Sequence, residues 1–309
     1  MESRGLLKAV LLASCLLLVC SGRVPAVIQQ PSTTIYNSTL AKTLVEYAAA
    51  IYTADLTQLF TWTCDRCGDL IEGFEMMDII VDVENCLEAY VGFASDINAV
   101  VVVFRGTQEN SGIQKTRKLH GDVPIMVTGH SMGAAMASFC ALDLVVNYGL
   151  DDVKLMTFGQ PRVGNAAFAS YFKRYLPHAI RVTNANDIVP HLPPYFSFFP
   201  QKTYHHFPRE VWVHDVGLGS LVYTVEQICD DSGEDPACSR SVSGNSIQDH
   251  ITYLGVSMHA EAWSSCRIVM DYAELRYKMD LHGNVVLSKQ QQQQQQPGLS
   301  DERRRHSAQ

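Results

Sequence analysis

Apolar residues recur at helical spacing near the start of the chain and form short runs further on. Between residues 40 and 60 they stand three or four positions apart, which predicts an amphipathic helix: Leu40, Leu44, Tyr47, Ala48 and Ile51. Residues 89–93 and 99–104 are apolar runs of strand length, separated by the polar turn residues Ser95, Asp96 and Asn98. Two such runs around a short polar connection predict a β-hairpin.

Beyond this hairpin, strand-like and helix-like segments alternate. The predicted strands are residues 124–128, 153–158 and 179–183, and the predicted helices are residues 132–147 and 165–175. Two further runs, 211–213 and 221–225, are predicted edge strands. Because strands that alternate with helices build βαβ units, the pattern predicts an α/β fold, with a mostly parallel central sheet and helices on both faces.

One connection does not fit that architecture. Parallel neighbours need a crossover of about a dozen residues or more, usually a helix with an apolar face. Residues 105–123 join two predicted strands, yet their apolar members are only Ile113, Leu119 and Val123. We therefore expect an irregular loop or a missing strand-helix unit here, with apolar sheet surface left uncovered.

The two ends of the chain differ from the middle. Arg4 and Lys8 precede an apolar run over residues 9–20, followed by small residues, which is typical of a secretory signal peptide. A membrane-spanning helix needs about 20 apolar residues, so we expect residues 1–26 to be a signal peptide and no segment to cross a membrane. Residues 286–309 contain seven consecutive glutamines and are expected to be a disordered tail, which leaves 27–285 as the folded domain.

Composition narrows the function classes. Apolar residues make up 47% of the 309 residues, enough to bury a substantial core. The formal net charge of −8 argues against a nucleic-acid partner, because phosphate neutralisation needs a basic surface.

Cysteine usage fits an oxidising compartment. Removal of residues 1–26 leaves seven of the nine cysteines: Cys64, Cys67, Cys86, Cys140, Cys229, Cys238 and Cys266. Cys64 and Cys67 have the spacing of a redox or zinc motif, but no second such pair occurs, so disulfides are favoured. Cys229 and Cys238 are expected to close the acidic loop between them, and Cys140 to be buried and unpaired. In the same compartment Asn37, in Asn-Ser-Thr, is a candidate glycosylation site.

A candidate nucleophile lies between a predicted strand and a predicted helix. Residues 129–133 read Gly-His-Ser-Met-Gly and fit the pattern G-x-S-x-G. In this context the pattern is typical of a nucleophile elbow, in which Ser131 occupies a strained turn and Gly129 and Gly133 allow strand and helix to approach closely. The alternative is a tight glycine-rich turn with a bystander serine.

An elbow serine needs an orienting acid and a base, which follow it in the chain order Ser, Asp, His on this fold. Asp187 comes directly after the predicted strand 179–183, at the sheet edge where α/β proteins gather their sites. The residues themselves do not choose among the histidines that follow: His191, His205, His206, His214, His250 and His259.

Four segments in chain order resemble a known family. They are residues 104–107 (FRGT), 129–133 (GHSMG), 184–194 (NANDIVPHLPP) and 249–255 (DHITYLG), and residues 204–212 (YHHFPREVW) add a fifth. Together they resemble the fungal-type (class 3) lipase family, and the fifth segment resembles its plant secreted branch. The resemblance implies an α/β-hydrolase fold.

The same resemblance implies the residue roles and the activity. Ser131 would be the nucleophile, Asp187 the orienting acid and His250 the general base, while Thr107 and Met132 would supply the oxyanion hole. The implied protein is a secreted serine hydrolase that cleaves carboxylic esters of acylglycerol-type lipids, in the manner of a triacylglycerol lipase. Its partner would be a lipid or ester substrate at a lipid–water interface, and it would need no metal or cofactor. The protein would be extracellular, vacuolar or in the ER lumen.

The chain departs from that family in the connection noted above. Thr107 and Ser131 are only 24 residues apart, whereas the family carries a lid helix, a further strand and a long helix in this interval. The alternative interpretation is therefore a catalytically impaired lipase-like isoform or a non-enzymatic binding module. The shortened segment also predicts lower stability and no activation at a lipid interface.

Overall fold

Ten strands of the described residues form one mixed sheet. The computed structural model describes residues 36–85, 87–105, 111–196, 198, 203–218, 221–259, 269–270, 275 and 277–289. The expected signal peptide, Cys86, Thr107, Cys266 and nearly all of the expected glutamine-rich tail lie outside these residues.

The strands are numbered in chain order. They are β1 (Glu75–Asp82), β2 (Leu87–Ala94), β3 (Ala99–Phe104), β4 (Ile125–His130), β5 (Val153–Phe158), β6 (Gly164–Asn165), β7 (Ile180–Asn184), β8 (Tyr204–His205), β9 (Glu210–Leu218), β10 (Leu221–Ile228), β11 (Thr252–Tyr253), β12 (Val256–Ser257), β13 (Tyr277–Met279) and β14 (Val285–Ser288). The α-helices are α1 (Ser38–Ala50), α2 (Leu56–Thr61), α3 (Ser111–His120), α4 (Met132–Val146), α5 (Ala166–Tyr175) and α6 (Ile247–His250). Short 3-10 helices occupy Asp69–Ile71, Val189–His191 and Ser239–Ser241.

The sheet is parallel at its centre and antiparallel at both ends. Its strand order is β10-β9-β7-β5-β4-β3-β2-β1-β14-β13, and β3, β4, β5, β7 and β9 run parallel. Helix α1 packs on one face, against β3, β4 and β5, whereas α4 packs on the same three strands with the second apolar cluster. This arrangement confirms the predicted α/β fold with helices on both faces.

Several predicted elements are confirmed within one or two residues. The hairpin of β2 and β3 is antiparallel, as predicted. Helix α5 begins after Asn165, whose Oδ1 accepts the N–H of Phe168 at 2.9 Å and caps the helix. In contrast, β9 is not an edge strand, because β7 and β10 flank it.

Three strands at the far end of the sheet, β1, β14 and β13, were not predicted. β1 is buried at six consecutive positions, so it lacks the alternation that identifies a half-buried strand. β14 pairs with β1 and buries Leu287. The tail boundary expected at residue 286 is therefore wrong, because the sheet continues to Ser288.

The short connection between β3 and β4 contains a helix, which corrects the expectation of an irregular loop. Helix α3 packs against β1, β2 and β3, where it buries Ile113 and Thr116. Its last residue, His120, stacks on Phe93 of β2 at 3.9 Å between ring centroids. Among its described side chains, Ile113 is the apolar one that the helix buries against the sheet.

The sheet face beneath α3 is correspondingly buried. Val91 and Val102 are each 4% exposed, and Ile80 is 5% exposed. The expected exposure of apolar sheet surface at this point is therefore wrong.

The cysteine predictions are confirmed where the structure describes the residues. Disulfides join Cys64 to Cys67 and Cys229 to Cys238, while Cys140 is free and buried. Burial raises the pKa of the Cys140 thiol to about 12, so the thiol stays protonated at neutral pH. Among the described helices, none combines the length and the apolar character that crossing a bilayer requires.

Candidate active site

Ser131 occupies a strained turn between β4 and α4. Its backbone angles are φ 59° and ψ −126°, a combination that a non-glycine residue adopts at an energetic cost. Its N–H donates to the carbonyl oxygen of Phe158 in the neighbouring strand at 3.0 Å. The turn presents the half-buried serine side chain at the carboxyl edge of the parallel strands.

The two glycines of the elbow are required by close backbone approach. A Cβ at Gly133 would overlap the carbonyl group of Phe104 in β3. A Cβ at Gly129 would lie 2.6 Å from the carbonyl oxygen of Gly133. The two glycines of the pattern G-x-S-x-G therefore allow α4 to pack closely against the ends of β3 and β4.

Ser131, Asp187 and His250 come together in one hydrogen-bonded chain. The Oγ of Ser131 lies 2.8 Å from Nε2 of His250, and Nδ1 of His250 lies 2.9 Å from Oδ2 of Asp187. Because a carboxylate only accepts, Nδ1 of His250 carries the proton and Nε2 accepts from the serine hydroxyl. The acid and the histidine are 1% and 3% exposed, so bulk water does not compete for these bonds.

Two further donors hold the carboxylate of Asp187. The N–H of Val189 donates to Oδ1 at 2.8 Å, and the hydroxyl of Tyr253 donates to Oδ2. Burial, then the charge of Asp187, raises the pKa of Tyr253 well above its usual value, which keeps this hydroxyl a donor. Tyr253 had no role assigned from the sequence, although it lies in the 249–255 segment that carries the family resemblance.

Gly159 is a second residue that the sequence analysis missed. It follows β5 with φ +56°, and a Cβ there would lie 2.9 Å from Oδ2 of Asp187 and 3.1 Å from Cε1 of His250. The available signal was a glycine at the carboxyl end of a predicted parallel strand.

Side chains also fasten the main chain around His250. Nδ2 of Asn184 donates to the carbonyl oxygens of Asp249 and Thr252, at 3.0 and 2.8 Å. The N–H of Asn186 donates to Oδ2 of Asp249 at 3.0 Å. The segment after β7, which carries the acid, is therefore tied directly to the segment that carries the histidine.

The remaining histidine candidates have other contacts. Both ring nitrogens of His191 lie near backbone carbonyl oxygens, of Asp187 at 2.9 Å and Ser239 at 3.2 Å. His206 is buried and donates from Nε2 to the carbonyl oxygen of Pro190 at 2.8 Å. Burial, then the nearby Arg181 and Arg162, lowers the pKa of His206 well below its usual value. Of the six candidates, all in described segments, His250 alone lies within hydrogen-bond distance of Ser131 Oγ.

The predicted oxyanion donors are only partly described. Met132 is the first residue of α4, where backbone N–H groups have no partner inside the helix and the helix dipole is positive. Its N–H therefore suits a developing negative charge next to Ser131. Thr107, the other predicted donor, lies outside the described residues.

Asn37, the predicted glycosylation site, is exposed and precedes α1. Its Oδ1 accepts the N–H of Leu40 at 3.0 Å and caps the helix.

Comparisons with known proteins find similarity to lipases. Residues 75–197 match the family model "Lipase (class 3)". A lipase of Rhizomucor miehei is 38% identical over 146 residues, which span 45% of this chain and 37% of that protein. A lipase of Caenorhabditis elegans is 29% identical over 205 residues, 53% of this chain and 57% of the other. A secreted mono- and diacylglycerol lipase of Fusarium solani is 38% identical over 131 residues, 42% of this chain and 37% of the other.

Solved structures of fungal lipases share the fold. The lipase of Rhizopus microsporus var. chinensis has a TM-score of 0.59 at 25% identity, covering 74% of this chain and 92% of the other. The Rhizomucor miehei lipase in complex with its propeptide has a TM-score of 0.58 at 26% identity, covering 72% and 83%. In sequence, the matches span between 37% and 57% of the length of these three curated relatives.

Proposed function

We propose that this chain, which belongs to the class 3 lipase family, is a serine hydrolase that cleaves carboxylic esters of acylglycerol-type lipids. The observation that carries the proposal is the hydrogen-bonded chain from Ser131 through His250 to Asp187, at 2.8 and 2.9 Å. The names of the relatives, which include a mono- and diacylglycerol lipase, support the substrate class.

In the first half of the reaction, Ser131 attacks the ester carbonyl. Nε2 of His250 takes the hydroxyl proton as the Oγ–carbon bond forms, and Asp187 stabilises the imidazolium through Nδ1. Collapse of the tetrahedral intermediate expels the alcohol, which receives that proton from His250, and leaves an acyl group on Ser131.

In the second half, water attacks the acyl group. His250 takes a proton from the water and returns it to Ser131 Oγ as the fatty acid leaves. The N–H of Met132 donates to the oxyanion in both halves, and a donor of this kind contributes about 3 kcal/mol to transition-state stabilisation in related chemistry. Thr107 is the proposed second donor.

The chain is proposed to enter the secretory pathway through residues 1–26. The two disulfides of the described residues support an oxidising compartment, and one relative is named as secreted.

A glycan at Asn37 fits the same compartment. The Oδ1 atom caps α1, and a glycan attached to Nδ2 leaves that acceptor in place. In protein secreted from eukaryotic cells, Asn37→Gln and Thr39→Ala should each remove one glycan mass, whereas only Asn37→Gln also removes the cap.

The non-enzymatic alternative makes a different prediction for the same serine. A binding module does not need a reactive serine, whereas a hydrolase needs Ser131 to be acylated. The experiment is therefore hydrolysis of p-nitrophenyl butyrate and of a diacylglycerol, together with labelling by diethyl p-nitrophenyl phosphate and peptide mass mapping.

We expect the wild type to hydrolyse both esters and to carry the phosphoryl label on Ser131. Ser131→Ala should lower the rate by at least about a thousandfold and abolish the label. The matched control is Ser170→Ala, since Ser170 is an exposed serine of α5 that is remote from Ser131 in the chain. This variant should behave like the wild type. Folded wild-type protein that neither hydrolyses the esters nor takes the label would support the binding module instead.

A further inference from the structure

His130 is a buried histidine that the mechanism above does not use. It is the last residue of β4, directly before Ser131, and is 2% exposed. Its side chain contacts the segment of the catalytic base: Nε2 lies 2.8 Å from the backbone carbonyl oxygen of His250, and the two rings are 4.5 Å apart.

The partners of the His130 ring determine which of its nitrogens donates a hydrogen bond and which accepts one. A carbonyl oxygen only accepts, so Nε2 of His130 carries the proton and donates to His250. Nδ1 is then an acceptor, and its partner is the hydroxyl of Tyr52 at 2.8 Å. Burial, then the neighbouring His250, lowers the pKa of His130 to about 3, which keeps the ring in the neutral form that this pattern needs.

Tyr52 is itself held in place. The guanidinium of Arg105 lies over its ring, 5.3 Å from the centroid. Burial raises the pKa of Tyr52 to about 12, so its hydroxyl remains a donor.

The carbonyl group of His250 needs an anchor because its helix is short. Helix α6 has four residues, too few for internal hydrogen bonds to satisfy all of its backbone carbonyl groups. Asn184, the last residue of β7, holds the carbonyls of Asp249 and Thr252 on either side. His130 holds the carbonyl of His250 from β4, the strand that leads into Ser131.

We propose that His130, oriented by Tyr52, is a positioning residue that fixes the main chain of His250 relative to Ser131. This inference rests on the proposed function, in which His250 is the base. Residues 130 and 131 would then hold residue 250 at two points, its backbone carbonyl and its imidazole. A misplaced base lowers the rate of proton transfer with little effect on substrate binding.

Two substitutions separate the two ends of the His130 ring. Gln can place an amide N–H near the position of Nε2 and so keep the bond to His250, whereas Asn reaches only the position of Nδ1 and keeps the bond to Tyr52. A misplaced catalytic group can lower the rate by about a hundredfold, and we expect His130→Asn to lower kcat by about 10- to 100-fold with KM nearly unchanged. His130→Gln should stay within about fivefold of the wild type, because one neutral hydrogen bond is lost.

Tyr52→Phe tests the hydrogen bond between Tyr52 and Nδ1 of His130. It should lower kcat by about fivefold in the wild type and cause no further loss in the His130→Asn background, because it acts through His130. All rates are expressed per site titrated with the organophosphate, and melting temperatures are measured in parallel, so that misfolded protein does not count as slow enzyme.

A second measurement does not require turnover. The proton between Nδ1 of His250 and Asp187 should give a low-field ¹H resonance that is absent in His250→Ala. We expect it to persist in His130→Gln and to shift or broaden in His130→Asn.

The outcomes distinguish the two proposals. Wild-type protein that shows the resonance but hydrolyses no ester contradicts the proposed function, and the resonance in the variants still tests the positioning role. Equal kcat values and equal spectra for the Asn and Gln variants would overturn the positioning role, as would losses in kcat that follow the melting temperatures alone.

Discussion

At the residue scale, the site depends on how a buried carboxylate is satisfied. Asp187 is 1% exposed and accepts from three donors, which come from Val189, Tyr253 and His250. A buried charge without such donors would cost several kcal/mol. Each donor also fixes one direction of the carboxylate, so the bonds that stabilise Asp187 also orient the imidazole of His250.

Gly159 leaves the space in which these groups meet, and its substitution is a prediction at this scale. Gly159→Ala would place a methyl group 2.9 Å from Oδ2 of Asp187 and 3.0 Å from the hydroxyl of Tyr253. We expect kcat for p-nitrophenyl butyrate to fall by about a hundredfold, since small displacements of catalytic groups have effects of this size.

Gly149→Ala is the matched control. Gly149 has φ +64°, close to the +56° of Gly159, but an added Cβ meets no atom within 4 Å. Backbone strain should cost each variant about 1 kcal/mol of unfolding free energy, and crowding adds to that loss in Gly159→Ala alone, while Gly149→Ala keeps its kcat. Equal kcat values in the two variants would contradict this role for Gly159.

At the element scale, α3 shows how little apolar surface a covering helix can use. Ile113 is 2% exposed and joins the cluster beneath α4, while Leu119 of the same helix is 64% exposed. The helix ends on the ion pair between Arg117 and Asp122 and on the stacking of His120 over Phe93. One buried isoleucine is therefore its principal apolar anchor among the residues described.

Ile113→Ala should clearly lower the free energy of unfolding, although Ile113 belongs to a mostly polar helix. Removal of a buried isoleucine side chain costs about 2 to 4 kcal/mol through lost burial and the cavity left behind. Urea unfolding followed by fluorescence measures the change. Leu119→Ala should change the unfolding free energy by less than about 0.5 kcal/mol; similar losses in the two variants would show that α3 does not pack on the sheet in solution.

At the scale of the whole molecule, the parallel strands gather the site. Ser131 follows β4, Gly159 follows β5 and Asp187 lies just beyond β7, so the carboxyl ends of three adjacent strands meet at one edge. Exposed apolar side chains belong to the same segments: Met132 beside the nucleophile, Leu192 after the acid and Ile247 before the base.

The placement of α3 predicts how the proposed hydrolase responds to lipid. Helix α3 packs on β1, β2 and β3, so we expect that it does not act as a lid over Ser131. We expect hydrolysis of tributyrin to rise smoothly through its solubility limit, and monomeric p-nitrophenyl butyrate to be cleaved without added lipid. A sharp rise in rate when emulsion droplets appear would contradict this prediction and indicate that a lid is present.

Local pattern determined much of what the sequence predicted correctly. The alternation of β4, α4, β5 and α5 and the disulfide between Cys229 and Cys238 involve neighbours in the chain. The steric requirements of a turn and the periodicity of burial act within a few residues, so they can be recognised from the sequence alone.

Only the tertiary structure decided which distant groups meet. His250 lies 119 residues after Ser131, and the residues alone left six histidines as candidates until family resemblance favoured His250. The hydrophobic periodicity of the sequence likewise does not predict the hydrogen bond from Tyr52 to His130. Nor does it predict that Ile113 is buried in an otherwise polar helix. The physical reason is that side-chain pairing across the sheet depends on strand order and helix placement, and these follow from packing of the whole chain rather than from any local segment.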